Sequence, residues 1–486
     1  MLFRRFYDEN LAQASYMLAC EKTREAVIVD PNADVAYYTR AAGADRVKIT
    51  HVTETHIHAD FVSGASALAR ATGATLHLSG AGTGDWVYAR EALAAASVVE
   101  SGSALNVGRT IRLEAIHTPG HTPEHLSFLV YDLDRGPDPV GALTGDFVFV
   151  GDVGRPDLLE KAAGAKGSTE ALARELYRSI RKFAELPDYL QIWPGHGAGS
   201  ACGKSLGSMP QSTLGYERLF NWAFAQASEG EFVARVLEDQ PVPPRYFAEM
   251  KRINRTAGRQ TVSATPTVLD AGELDAVIES GATVVDTRTA QSFAAGHVPA
   301  TINIPLNKSF LNWSGALVPS NRDFYILTDR DTDEAIKEIV TELCKIGLTR
   351  LRGIFRADAI QAWKKRHGNL EGVPQMRPAE LSSLGTKNGV QVVDVRNPDE
   401  WAHGHLPGAI HIPLAALPER VGELDRSAPI VLHCKGGGRS SIAASFLQSQ
   451  GMSNVSNLVG GYEAWVAKGL EVTRGKAPPR SHRRKK

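Results

Sequence analysis

The chain has 486 residues, too many for one core, and length alone suggests about three domains. Lys plus Arg equals Asp plus Glu at 54 each, so no whole-chain field favours nucleic acid or a membrane surface. No run of about 18 apolar residues offers a membrane span, and Cys20, Cys202, Cys344 and Cys434 are too scattered for a disulfide framework, which points to a reducing, cytoplasmic setting.

In chain order, residues 15–18 and 26–30 read as strands and residues 34–42 have helical spacing. The β-branched run 47–52 then leads as a strand into Thr55-His56-Ile57-His58-Ala59-Asp60. Three metal-capable side chains at alternate positions cannot share one helix face, but they can converge on a point from a strand end or tight loop. Helical spacing returns over 64–72. An alternating strand over 111–116 leads into Pro119-Gly120-His121-Thr122-Pro123, a Pro/Gly loop. Residues 142–146 bring Asp146 to a strand end, and Trp193-Pro194-Gly195-His196 does the same for His196. Four separate strand-to-loop junctions each present a His or Asp, and that repetition points to a metal. Strands alternating with helices suggest layered α and β elements.

This order of motifs, Thr-His-x-His-x-Asp, Pro-Gly-His-Thr-Pro, Thr-Gly-Asp and Pro-Gly-His, resembles the metallo-β-lactamase superfamily over residues 1–250. Within it, Gly154-Arg155-Pro156-Asp157 and the motifs at 55–60 and 144–146 resemble the persulfide dioxygenases. The resemblance implies an αββα sandwich holding one Fe(II) per chain through His56, His121 and Asp146. His58, Asp60 and His196 would then orient the ligands. Two-metal hydrolases of the superfamily commonly carry a His directly after the Asp, where this chain has Phe61, which favours one metal. His and Asp serve iron and zinc alike, so the residues alone leave the metal open. Arg155 is a candidate partner for a carboxylate on a thiol substrate, against the alternative of a plain surface arginine. Cys202, in a glycine-rich loop, is a candidate to carry sulfur, against the alternative of an inert buried thiol.

Residues 241–264 are polar and proline-rich at the start, as a linker or an extended helix would be. A repeat follows. Val284-Val285-Asp286-Thr287-Arg288 recurs as Val392-Val393-Asp394-Val395-Arg396, Gly296-His297 as Gly404-His405, and Ile304-Pro305 as Ile412-Pro413, each 108 residues on. Both copies, 262–370 and 376–474, resemble rhodanese-like sulfurtransferases, α/β domains with a parallel sheet. In the second copy an apolar strand ends in Cys434-Lys435-Gly436-Gly437-Gly438-Arg439, with helical spacing over 442–450. Glycines let backbone N–H groups turn inward around an anion, a helix N-terminus adds positive potential, and Lys435 and Arg439 add formal charge. That setting suits a nucleophilic cysteine. In the first copy Asp329 stands where the cysteine belongs, in an acidic loop without glycine, so this copy is expected to be inactive. Residues 475–486 form a basic tail.

The expected function is therefore a non-haem Fe(II) persulfide dioxygenase joined to a sulfurtransferase that works through a cysteine persulfide. Its partners would be O2, thiosulfate or sulfite, and a thiol persulfide of the glutathione, coenzyme A or bacillithiol type, with no nucleic acid and no membrane. A homo-oligomer is compatible with the sequence. The rival expectations are a zinc thioester hydrolase of the glyoxalase II kind fused to a rhodanese, and a non-enzymatic sulfur carrier.

Overall fold

The strand Gln13–Ala19 shows how the first layers are built. Alternate side chains of a strand point to opposite faces, and here Tyr16 and Leu18 enter one core while Met17 and Ala19 enter another. Glu25–Val29 repeats the division, with Val27 and Val29 on the first side and Ala26 and Ile28 on the second. A strand apolar on both faces must be covered on both, which is what a four-layer α/β sandwich provides.

The computed structural model describes every residue except 85, 159, 161–167, 205, 239, 241–242, 258–265, 385–388 and 476–486, so the basic tail lies outside the described residues. The chain forms two compact units, Met1–Ser263 with Thr341–Thr349, and Ala264–Val340 with Arg350–Lys486.

The first unit has two six-stranded sheets. One runs in the order Leu2–Asp8, Gln13–Ala19, Glu25–Val29, Lys48–Thr53, Thr75–Ser79, Ser97–Val99. The other runs Ser212–Thr213, Gln191–Pro194, Gly141–Gly145, Leu126–Asp132, Ile111–His117, Ala104–Val107. Their inner faces share one core, in which Tyr16, Leu18 and Val27 meet Leu113, Phe128, Leu143 and Trp193. The outer face of the first sheet packs on the helices Val35–Ala44 and Ala65–Thr72 through Tyr38 and Leu68. The outer face of the second packs on Ser168–Phe183 and Glu229–Leu237 through Leu176, Ile180 and Phe232. The expected αββα order is present.

The polar segment after residue 240, expected as a linker or an extended helix, takes the second form in part. Its described part contains the helix Phe247–Arg255, which buries Phe247, Met250, Ile253 and Asn254 in the first unit. The apolar positions 247, 250 and 253 are spaced at three, so one helix face is buried while Arg252 and Glu249 pair on the other. Its polar composition concealed a narrow apolar stripe.

The second unit contains two five-stranded, all-parallel sheets of identical topology. The first is ordered Thr267–Val268, Leu351–Arg356, Phe324–Thr328, Thr283–Asp286, Thr301–Asn303, and the second Gln375–Met376, Val455–Leu458, Ile430–His433, Gln391–Asp394, Ile410–His411. Register repeats as well: Asp286 sits opposite Asn303 and Leu327, and Asp394 opposite His411 and His433. Among the described residues no helix is long and apolar enough to cross a membrane.

Candidate functional site

In the first unit, four strands end at one place. Lys48–Thr53 leads to His56, Ile111–His117 to His121, Gly141–Gly145 to Asp146 and Gln191–Pro194 to His196. His56, His121 and Asp146 are buried, and one ligand atom from each lies within 4.8 Å of the others.

Hydrogen bonds fix which atom each residue offers. His121 Nδ1–H donates to the Arg155 carbonyl at 2.9 Å, leaving Nε2 as a lone pair 3.5 Å from Asp146 Oδ2. His56 Nδ1 is bonded to Thr55 Oγ1 at 2.9 Å, and its Nε2 has no hydrogen-bond partner. Neither carboxylate oxygen of Asp146 has a hydrogen-bond partner. A buried polar atom left unpaired costs about 1–3 kcal/mol, and more when charged. Unpaired nitrogen and carboxylate atoms aimed at one point are therefore what a cation would satisfy, and this donor set fits one metal ion. Burial pushes both imidazoles below their ordinary range, and the neighbouring histidines press His56 down further. Both are thereby held neutral, the form that binds a metal.

The remaining motif residues are engaged elsewhere. His58 Nε2 lies 3.1 Å from Asp30 Oδ1. Burial opposes charge on His58, but Asp30 outweighs burial and raises its pKa to about 9. Asp30 also accepts from Thr55 N–H at 2.6 Å and from the Thr55 hydroxyl, so it holds the residue that in turn orients His56. His196 Nδ1–H donates to the Ala12 carbonyl at 3.0 Å, and its Nε2 sits 3.1 Å from Asp60 Oδ2 and 3.5 Å from Asp146 Oδ1. Burial works against charge there too, but Asp146 and Asp60 hold His196 well above the ordinary imidazole value. Asp60, His196 and Cys202 make a second group of buried ligand atoms within 4.8 Å of one another. Burial first, then Asp60 and Asp146, push the Cys202 thiol up to about 12.

Arg155 differs from its expected part. It is fully buried, and its guanidinium forms a bidentate pair with Asp157 at 2.6 and 2.8 Å and donates to the Ala201 carbonyl at 3.1 Å. A fork committed in this way ties the loop after Asp146 to the Cys202 loop, instead of facing a substrate carboxylate. Its backbone serves the site too, since its carbonyl receives His121 Nδ1–H.

Several positioning residues were not singled out from the sequence. Asp30 ends a strand and carried no motif signal. His125 lies in the same loop as His121 and accepts the Asp146 N–H on Nε2 at 3.1 Å. Asn254 donates to the carbonyls of His58 and Phe61 and accepts Ser63 N–H, clamping the metal-binding loop. Gly145, at φ +49°, has room for no side chain: an added Cβ would lie 2.5 Å from Thr55 Oγ1.

In the second unit, Ile430–His433 ends at Cys434, which is 2% exposed, and the helix Gly438–Ser449 begins in the loop itself, four residues before the expected start at 442. Gly437 N–H donates to Cys434 Sγ at 3.2 Å, and the Ser440 hydroxyl lies 3.5 Å from it. The helix Gly461–Ala467 holds the loop from the other side, with Tyr462 and Glu463 N–H groups donating to the carbonyls of Cys434 and Lys435. Arg439 makes a bidentate pair with Glu400 at 2.6 and 2.7 Å, while Lys435 is exposed and 3.7 Å from Glu463. In the first copy Asp329 follows Phe324–Thr328 just as Cys434 follows its strand. Cys344 lies buried in the helix Asp333–Lys345, where burial pushes its thiol up to about 11.

His433 sets an acid limit on this unit. It is buried beside Asp394, 3.6 Å away, and burial lowers its pKa from 6.5 to about 4. Between those values the unfolded chain binds a proton that the folded chain refuses, so stability is lost as pH falls from about 6.5 to about 4. At about 1.4 kcal/mol per pH unit the full loss is on the order of 3 kcal/mol. In His433→Leu, the urea midpoint for unfolding of the second unit should change less between pH 7 and pH 5 than in wild type. An equal change in both proteins would assign the acid sensitivity elsewhere.

Comparison with known proteins gives a family for the domain that carries each site. Residues 10–196 match the metallo-beta-lactamase superfamily and residues 377–468 the rhodanese-like domain. Among solved structures, the chain is similar to a metallo-beta-lactamase from Staphylococcus aureus subsp. aureus COL, with 39% identity and a TM-score of 0.64 over 73% of this chain and 99% of that one. A sulfurtransferase of Allochromatium vinosum is 37% identical over 89 residues, 18% of this chain and 83% of that protein. The thiosulfate sulfurtransferase GlpE of Pseudomonas aeruginosa is 40% identical over 91 residues, 19% of this chain and 82% of that protein. The chain belongs to the metallo-beta-lactamase superfamily and carries a rhodanese-like domain towards its C-terminal end.

Proposed function

We propose that the chain is an Fe(II) persulfide dioxygenase joined to a thiosulfate sulfurtransferase, with His56, His121 and Asp146 as the iron ligands and Cys434 as the sulfur carrier. The observation that carries this is the division among the motif histidines. His56 and His121 offer lone pairs beside an unpartnered carboxylate, while His58 Nε2 is committed to Asp30 and His196 Nε2, without a hydrogen bond, lies in ion-pair range of Asp60. That division supports one metal held by two histidines and one carboxylate, not two bridged metals. Iron held by these three residues would supply the redox chemistry that couples O2 to oxidation of a sulfur substrate.

The protein's own residues do the rest. Burial keeps His56 and His121 neutral, and Thr55 and the Arg155 carbonyl fix their rings. Phe61, fully buried against the His58 ring at 4.3 Å, keeps water from that side. The overall reaction balances as RSSH + O2 + H2O giving RSH + HSO3− + H+, the outer sulfur losing four electrons that O2 gains. At Cys434 the thiolate attacks the outer sulfur of thiosulfate and sulfite departs with the bonding electron pair. Gly437 N–H and the Ser440 hydroxyl lie against the sulfur that carries this charge. The curated relatives named as sulfurtransferases support this second step. The first copy, with Asp329 in place of a thiol, takes no sulfur. Four buried cysteines without a disulfide suit a reducing cytoplasmic setting.

The competing zinc thioesterase is tested with S-lactoylglutathione. The iron-loaded enzyme should hydrolyse it at no more than a small fraction of its rate with glutathione persulfide. Zinc content with fast thioester hydrolysis would overturn the dioxygenase.

A further inference from the structure

Beside the Cys434 loop lies a cavity of about 480 Å³, within the about 300–1,000 Å³ common for small-molecule sites. An inorganic anion needs far less room. One wall is the Gly436–Gly438 turn, including the Gly437 whose N–H points at Cys434 Sγ. Gln375, Ser441 and Asn457 of the second copy add to it. Further lining comes from the copy without a nucleophile, including Gln291 and Ala294 of the helix Ala290–Ala295.

The chemistry of this lining is narrow. Among the described residues no Asp, Glu, Lys or Arg side chain lines the cavity; its polar groups are primary amides, one hydroxyl and backbone. Asn457 is 5% exposed, its Nδ2 donates to Gln375 Oε1 at 2.9 Å, and its Oδ1 has no hydrogen-bond partner. A buried, unpaired amide oxygen in such a lining is an acceptor suited to an N–H or O–H donor on a ligand.

We propose that this cavity binds the body of the thiol that takes sulfur from Cys434, and that it selects an uncharged, amide-bearing arm of the pantetheine type over an arm carrying carboxylates. The proposal rests on the sulfur-transfer reading of Cys434. A carboxylate beyond the reach of the glycine turn would meet no side-chain cation in this lining, whereas an amide arm can bond to Asn457 and lie against Ala294. In the step itself the thiolate of the acceptor attacks the outer sulfur of the Cys434 persulfide. A new S–S bond forms, the old one breaks, and Cys434 leaves as thiolate with no net oxidation. The copy that lost its nucleophile would thus act as the specificity wall of the copy that kept one.

The test uses the full-length enzyme with thiosulfate as donor and cyanide, pantetheine or glutathione as acceptor. Wild type should show a kcat/KM for pantetheine at least about tenfold above that for glutathione, the ratio expected from one polar mismatch. Ala294→Phe and the milder Ala294→Leu should raise the pantetheine KM, about tenfold for the Phe variant, and leave cyanide turnover and the thiosulfate KM within about twofold. Unchanged pantetheine kinetics, equal losses with cyanide and pantetheine in both variants, or a preference for glutathione would overturn the proposal. Absence of cyanide turnover in wild type would instead remove the sulfur-transfer reading beneath it.

Discussion

His121→Ala should abolish oxygen uptake with a persulfide substrate and leave thiosulfate cleavage at Cys434 within about twofold of wild type. His121 contributes one of three buried ligand atoms, and its ring is set by the hydrogen bond from Nδ1 to the Arg155 carbonyl. Loss of even an orienting partner of a metal ligand costs about 10–100-fold in metal affinity or activity, so loss of the ligand itself should exceed that. Iron content per chain should fall with it. The alanine also leaves Asp146 more exposed to unpaired burial, so apparent stability should fall in the first unit. Cys434 lies in the other compact unit, which has its own sheets and core. Loss of both activities with the fold intact would mean that the sites are coupled.

Cys434→Ser should do the reverse. The serine keeps the shape of the loop and the Gly437 N–H contact but lacks a polarisable thiolate, so no persulfide can form. Thiosulfate:cyanide transfer should drop by at least about a thousandfold, in the range seen on removing a nucleophile. Persulfide-dependent oxygen uptake should stay within about twofold. Sulfurtransfer that survived the substitution would move the nucleophile to another cysteine. Among the alternatives, the Cys202 and Cys344 thiols are pushed up to about 12 and 11, which disfavours them, whereas at Cys20 burial is outweighed by hydrogen bonds from Thr110 and Thr23 that lower the thiol to about 6.

The layers of the first unit were legible because strand and helix periods differ and because the metal-capable residues stood at strand ends, those at 121, 146 and 196 beside Gly. The repeat offset of 108 residues made the paired sheets legible in the same way, and both adopt one strand order. What the sequence concealed was how polar groups are paired. Arg155 was a candidate for a substrate carboxylate because it follows the loop of Asp146; only folding brings Asp157 and Ala201 onto its two edges. Asp30, Asn254 and Glu400 position His58, the metal-binding loop and Arg439 across 28, 196 and 39 residues, and no local pattern announces such contacts. The helix Phe247–Arg255 was legible only as one of two alternatives, linker or helix, since its charged face dominates its composition.

The central claim is tested most directly by oxygen consumption. Protein purified without oxygen, with its iron quantified, is given a panel of low-molecular-weight thiol persulfides in an oxygen electrode, and sulfite is measured in the same samples. The account predicts oxygen uptake proportional to iron, one O2 consumed per sulfite formed, and saturation at one iron per chain. Iron-replete enzyme that consumes no oxygen with any persulfide would contradict it.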